Sequence, residues 1–384
     1  MAEKKGAMES IETKKIIRLS KSCIGVAEKK AIIRVLDHEY LGMGTEVKDF
    51  EGVLSEFFNR PVVCVVNGTA ALHLALQASG IGFGDEVLVP TLTYVASFQA
   101  ISATGAKPIP CDINEKTCLL DIIDAEKRIT KNTKAIMPVH YTGGVGNLDE
   151  LYTFADKYKL RIIEDAAHAF GTTYKNKRVG SIGDISCFSF DGIKNITSGE
   201  GGCVVTDDEF VLQKVKDARL LGVEKDTEKR YSGQRSWDFD ITQQGWRYHM
   251  SNLMAAIGIE QFNRFPEFAA KRKTLAKKYD SKFYQSSKIK SLNRDYKTVV
   301  PHIYVVRIIG MKNKKKLSQI LLDKGIQTGY HYLPNHWLTF YRDNKAQPLT
   351  KSELIFPELL SLPLHPDLSI NDVEFVANEL IKIA

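Results

Sequence analysis

The stretch Cys187-Phe-Ser-Phe-Asp-Gly-Ile-Lys-Asn-Ile-Thr-Ser-Gly-Glu-Gly-Gly202 places one lysine, Lys194, between two strand-like runs. The first run, Cys187 to Phe190, continues from Asp184-Ile-Ser186. The second, Cys203-Val-Val-Thr206, follows the glycines at 199, 201 and 202. A lysine in a tight turn between buried strands is poorly solvated. Burial lowers a lysine pKa and frees a neutral amine for Schiff-base chemistry. The same residue could equally lie at the surface of a β-turn, where most lysines are found. Three other segments bear on the choice.

The nearest upstream is Arg161-Ile-Ile-Glu-Asp-Ala-Ala-His168, which sets Asp165 at the carboxyl end of a short buried strand. A carboxylate there is costly unless paired, and a protonated pyridine nitrogen would be a suitable partner. A helix N-cap is the simpler use of Asp165. His168 could pack in the core or touch the same ring, and its place in the same turn favours the ring. Further upstream, Val66-Asn-Gly-Thr-Ala-Ala-Leu72 joins a strand to a helix through Gly68. The free N–H groups of that helix start, with the Thr69 hydroxyl, form an anion site, or serve only as an ordinary cap. It is not a Walker loop, since GxxxxGK[ST] is missing. Between them, Pro90-Thr-Leu-Thr-Tyr94 ends another strand, and Tyr94 could stack on a flat ring or pack as a core aromatic. A phosphate cradle, a carboxylate for a ring nitrogen, an aromatic face and an amine nucleophile are together what pyridoxal phosphate requires. His140, His168 and His249 show no metal-ligand spacing.

Around these motifs strands alternate with helices. Strands are expected at 62–66, 86–90, 108–112, 133–139 and 161–164, and helices at 26–41, 47–58, 70–78, 94–104 and 151–158. This βα order predicts a mainly parallel sheet covered on both faces, with its ligand beyond the carboxyl ends of the strands. A long helical pattern, 251–283, follows and is expected to break near Phe265-Pro266. A strand at 299–309 and helices at 315–324 and 371–383 then predict a smaller C-terminal α+β domain. The expected division is a disordered charged lead over 1–15, a large domain over 16–265 and a small domain over 266–384.

The chain has 384 residues, 43% of them hydrophobic, which suits two domains rather than one small core. No run of about 18 apolar residues occurs, so no membrane insertion is expected. The charged start lacks the apolar core of a secretion signal. The six cysteines form no CxxC pair and read as buried reduced thiols in a cytoplasm. The formal charge of +7 is spread along the chain, apart from Lys312-Asn-Lys-Lys-Lys316. It suits a small anionic substrate such as a nucleotide diphosphate better than nucleic acid.

The chain resembles the nucleotide-sugar aminotransferases, the DegT-like group of fold type I pyridoxal-phosphate enzymes. The resemblance runs from about Ile17 to the end. It rests on residues 67–76, 84–90, 164–171, 189–202 and on Ser361-Leu-Pro-Leu-His-Pro366, matched in order and spacing. It implies an aspartate-aminotransferase-like large domain with a seven-stranded type of sheet. It also implies that Lys194 carries the cofactor covalently and then shuttles the proton, and that Asp165 pairs with the ring nitrogen. Tyr94 would stack on the ring, Gly68, Thr69 and Ser189 would hold the phosphate, and His168 would lie near the ring hydroxyl. Family members are homodimers with shared active sites.

Two departures bear on specificity. In Gly245-Trp-Arg-Tyr-His-Met-Ser-Asn252, the segment lent to the partner, relatives often carry asparagine at the Arg247 position and arginine at the His249 position. Arg247, His249 and Asn252 remain alternatives for reaching the partner's cofactor, and Trp246 with Tyr248 could anchor the interface. Tyr332-Leu-Pro-Asn-His336 stands where relatives commonly show Pro-Leu-His, in a loop placed near the sugar nucleotide.

The implied reaction moves an amino group from L-glutamate to a nucleotide-linked 4-keto-6-deoxy sugar, giving a 4-amino sugar for surface polysaccharide or other glycans. Relatives that aminate C-3 tend to carry Gly-Asp-Gly or Gly-Asp-Ala where this chain has Gly199-Glu-Gly201, so C-4 is favoured over C-3. Dehydratases of the family replace the lysine with histidine. A regulatory protein on this scaffold would add a DNA-binding module that a 15-residue lead cannot supply. Arg178, Arg230, Arg235 and Lys29 are candidate diphosphate clamps.

Overall fold

A computed structural model describes residues 16–343 and 347–384, so the expected lead over 1–15 lies outside the described residues. Seven strands form one sheet: β1 (Val62–Val65), β2 (Glu86–Pro90), β3 (Lys107–Cys111), β4 (Thr133–Ile136), β5 (Arg161–Asp165), β6 (Ile185–Ser189) and β7 (Gly202–Thr206). Their order across the sheet is β1-β7-β6-β5-β4-β2-β3. β3, β2, β4, β5 and β6 are parallel neighbours. β7 runs against both β1 and β6. Six strands therefore point one way and only β7 opposes them, as the expected mainly parallel α/β sheet requires.

The strands are short apolar runs because both faces are covered. In β1, Val63 and Val65 face a core shared with the helices Gly68–Ala78, Val95–Ala103 and Glu209–Ala218. Val62 and Cys64 face the opposite core, which contains the Thr45–Phe58 helix. The Glu209–Ala218 helix is absent from the sequence expectation. It starts where the Asp208 carboxylate accepts from the N–H groups of Phe210 and Val211, both at 3.1 Å.

A second, three-stranded antiparallel sheet joins Ile289–Ser291, Tyr304–Ile308 and Leu359–Leu362. Its core takes in the Ile370–Ile383 helix and, from the start of the described chain, Ile17. The strand expected from 299 begins only at Tyr304. Before it, the Val299 N–H is drawn to the Asp295 carbonyl and the Val300 N–H to the Thr172 hydroxyl.

One expectation is corrected. The Asn252–Phe283 helix runs unbroken for 32 residues with Pro266 inside it. A proline in a helix interior costs about 3 kcal/mol. Packing opposes that cost, because the helix lies against Val26–Asp37 and Thr45–Phe58 at one end and Ile370–Ile383 at the other. Phe265 and Phe268, flanking the proline, are buried. The helix also spans residues 265–266, where the sequence reading divides the chain.

Candidate active site

The parallel strands deliver their carboxyl ends to one edge of the sheet. β5 ends there in Asp165, β6 in Ser189, β1 leads into Gly68 and β2 into Tyr94. A cavity of about 410 Å³ opens at this edge. Seven of the nine residues expected at the site line it: Gly68, Thr69, Tyr94, Asp165, His168, Ser189 and Lys194.

Lys194 sits in the connection from β6 to antiparallel β7, which must reverse direction at this edge. The turn is closed by the Phe190 N–H donating to the Gly201 carbonyl at 2.8 Å and the Ser198 N–H donating to the Phe190 carbonyl at 2.9 Å. Gly199 supplies the left-handed backbone it needs, with φ of +81°. The neighbouring Asn195 amide donates to the Phe170 carbonyl at 3.1 Å and fixes the turn to the layer below. Burial pushes the Lys194 amine down to about 8, while the carboxylates of Asp165 and Asp191 pull the other way. The amine is therefore about half neutral near pH 8.

Asp165 is buried and accepts two hydrogen bonds. The Ser97 hydroxyl donates to Oδ2 at 2.7 Å and the Ala167 N–H donates to Oδ1 at 3.2 Å. Thr93 and Ser97 are joined in turn at 2.8 Å. No helix starts at Asp165, since the chain turns through residues 166–170, so it caps no helix. Ser97 is a site residue the sequence reading missed. It lies in the first turn of the helix that follows Tyr94, and no pattern in the sequence marks it.

His168 lies across the same turn. The Thr142 N–H donates to its Nδ1 at 3.4 Å, which assigns the proton to Nε2, and Nε2 donates to the Tyr332 hydroxyl at 3.0 Å. Burial holds the imidazole well below its usual range, and Lys194 adds to the effect, so the ring is neutral. Tyr94, 59% exposed, flanks the mouth with its ring 5.5 Å from that of Tyr332. Of the Tyr332–His336 loop, Tyr332 reaches the cavity, whereas His336 bonds Thr91 at 2.7 Å and Glu353 at 3.1 Å.

The same cavity takes in a helix start. The Asn67 side chain caps the Gly68–Ala78 helix by accepting from the Ala70 N–H at 2.8 Å. The first N–H groups of a helix have no partner within it, and they face the cavity beside Ser189. Space here is tight: a Cβ on Gly68 would lie 2.8 Å from the Ser189 Cβ. Gly68→Ala is therefore expected to weaken cofactor binding about tenfold or more, from about 1–3 kcal/mol of overpacking. Fluorescence titration of the apoenzyme with pyridoxal phosphate measures this. An unchanged Kd would show that Ser189 yields freely.

Arg247 and Asn252 do not line the cavity of this chain. Asn252 is buried, and its amide donates to the Tyr40 carbonyl at 3.0 Å. Arg247 is exposed on a segment bolted on both sides: Arg247 bridges Leu220, and His249 bridges Val65 of β1. Trp246 and Tyr248, expected at an interface, pack on their own chain. Their rings stack 5.7 Å apart, His73 lies 4.9 Å from Trp246, and the Trp246 indole N–H donates to Gln77 at 2.8 Å. The physical reason is the extended backbone of 246–249, whose alternation turns both aromatics onto the Gly68–Ala78 helix and leaves Arg247 outward. None of Arg178, Arg230, Arg235 and Lys29 lines the cavity. Arg230 is paired with Asp226 at 2.7 Å, and Arg178 lies 4.3 Å over the Phe57 ring.

The residues fit pyridoxal phosphate on their own geometry. An anion site, a hydrogen-bonded carboxylate, an aromatic flank and a lysine of lowered pKa share one cavity wide enough for a flat ring. Among the described residues no cluster of His, Cys, Asp or Glu could hold a metal ion, and no helix is long and apolar enough to cross a membrane.

Comparison with known proteins gives the same picture. Residues 22–381 match the model of the DegT/DnrJ/EryC1/StrS aminotransferase family. The spore coat polysaccharide biosynthesis protein SpsC of Bacillus subtilis is 34% identical over 362 residues, covering 92% of this chain and 93% of SpsC. Spr1654 of Streptococcus pneumoniae, solved in PLP and PMP forms, is similar in structure. Its PLP form superposes with a TM-score of 0.88 at 31% identity over 96% of this chain and 98% of that one. Helicobacter pylori PseC, an aminotransferase involved in the biosynthesis of pseudoaminic acid, gives 0.89 at 28% identity over 96% and 99%.

Proposed function

This chain belongs to the DegT/DnrJ/EryC1/StrS aminotransferase family, whose members are pyridoxal-phosphate-dependent sugar aminotransferases, and we propose that it transfers the amino group of L-glutamate to C-4 of a nucleotide-linked 4-keto-6-deoxy sugar. The observation that carries this reading is the convergence of Lys194, Asp165 and the Gly68–Ser189 anion site on one cavity. The Gly199-Glu-Gly201 sequence supports C-4 over C-3, and the basic excess suits a diphosphate.

Pyridoxal phosphate, when bound, supplies a ring that withdraws electrons from the carbon bearing the amine. Gly68, Thr69 and Ser189 would hold its phosphate at the helix N-terminus. Asp165 would pair with the ring nitrogen, and the donors Ser97 and Ala167 hold its carboxylate in place. Tyr94 would flank the ring, and neutral His168 donates to the Tyr332 hydroxyl. Lys194, with an amine near pKa 8, takes a proton from the donor's α-carbon and delivers one to the sugar carbon. SpsC and PseC, named for polysaccharide and pseudoaminic acid biosynthesis, support a product destined for a glycan.

A screen of nucleotide-linked keto sugars with L-glutamate tests this, read as 2-oxoglutarate release. Turnover with 4-keto-6-deoxy sugars is expected. Turnover of oxaloacetate alone would overturn it.

We also propose a homodimer in which the outward Arg247 serves the partner's site. Its rigid, doubly bridged backbone and exposure support that role. Mixing inactive Lys194→Ala and Arg247→Ala proteins is expected to restore partial activity, because heterodimers regain one intact site. Proven subunit exchange with no recovery would place Arg247 in its own chain's site or outside catalysis.

A further inference from the structure

Arg272, on the Asn252–Phe283 helix, is 2% exposed. Its Nη1 donates to the His302 carbonyl at 2.8 Å and the Leu364 carbonyl at 3.2 Å. Its Nη2 reaches the carbonyls of Ile193 and Lys194, both at 3.5 Å. No carboxylate offsets this charge among the described residues, and burial pushes the guanidinium down to about 10. A buried cation without an ion pair is costly, and replacing it with apolar side chains is often neutral or better for stability. Four carbonyls hold it instead, and two belong to the turn that carries the reactive lysine.

Resting on the assignment of Lys194 as the reactive amine, we propose that Arg272 is its positioning residue: the guanidinium clamps the Ile193–Lys194 backbone and sets a fixed positive charge behind the amine. The charge disfavours the ammonium form of Lys194. Asp165 and Asp191 act in the opposite sense. Glu200, Tyr332 and Cys187 share the cavity and carry no positive charge, and His168, His302 and His331 are held neutral by burial, so Arg272 is the cation that acts on the amine. The clamp also reaches the far wall of the site, because the His302 ring lies 4.5 Å from that of His168. Through Leu364, just past the Leu359–Leu362 strand, it ties the lysine turn to the smaller sheet.

The test uses Arg272→Met, which removes charge and clamp, and Arg272→Lys, which keeps the charge but loses the planar fork. Trace acetylation of the apoenzymes with acetic anhydride, with the Lys194 peptide quantified by mass spectrometry across pH, reports the free amine without cofactor. The parent is expected to inflect near pH 8. In Arg272→Met the inflection should rise, lowering Lys194 labelling at pH 7 relative to the parent. Arg272→Lys should keep the parental inflection but lose about tenfold in kcat, with KM for L-glutamate within about twofold. An unmoved inflection in folded Arg272→Met overturns the proposal, as does parental kcat in both variants. If Arg272→Met fails to fold, parental kcat in Arg272→Lys alone overturns it. Borohydride fixation of the cofactor to another lysine would instead sink the Lys194 assignment, a failure distinct from that of Arg272.

Discussion

Lys194→Ala is expected to lower transamination by on the order of a thousandfold or more, as removal of a covalent nucleophile does. The loss should not come from unfolding. The lysine turn is closed by backbone bonds at Phe190, Ser198 and Gly201, none of which uses the lysine side chain. The measurement is product formed from keto sugar and L-glutamate, with far-ultraviolet circular dichroism as a check on the fold. Added methylamine should restore part of the rate by supplying a free amine. A folded variant retaining a tenth or more of parental activity would show that another group moves the proton.

Asp165→Ala is expected to cost on the order of a hundredfold to a thousandfold in kcat while leaving cofactor bound, since the charge acts in the transition state. The carboxylate at this strand end has few other uses. It caps no helix, and its donors are only the Ser97 hydroxyl and the Ala167 N–H, which water could serve. Asp165→Asn keeps the shape and an acceptor for the Ala167 N–H but loses the charge, so it should fall with the alanine variant. Full activity in Asp165→Asn would reduce Asp165 to a support for the 166–170 turn.

The central sheet was legible because strands buried on both faces make short apolar runs with turn residues between them. Glu86–Pro90 was located to the residue, and β5 to within one. The cavity lining was legible for the same reason, since Gly68, Tyr94, Asp165 and Lys194 each lie at a strand end or in the connection that follows one. What escaped depends on distance along the chain. The direction of β7 is set by pairing with β1 and β6, and a β-branched run carries no such mark. Helix continuity through Pro266 comes from the helices packed on either side. Trp246 and Tyr248 look like interface anchors in isolation. Their inward turn follows from bridges to Leu220 and Val65 that local pattern cannot reveal. Arg272 reads as one more basic residue on a lysine-rich helix, although it meets the Lys194 carbonyl across 78 residues of chain.

The central claim is tested most directly with ¹⁵N-labelled L-glutamate and a nucleotide-linked 4-keto-6-deoxy sugar, the product being analysed by NMR. The predicted result is one ¹⁵N bonded to C-4 of the sugar, with 2-oxoglutarate released in equal amount and no product from Lys194→Ala. Label at C-3 would overturn the regiochemistry. Label that passes freely to oxaloacetate and never to any nucleotide-linked keto sugar would contradict the claim itself.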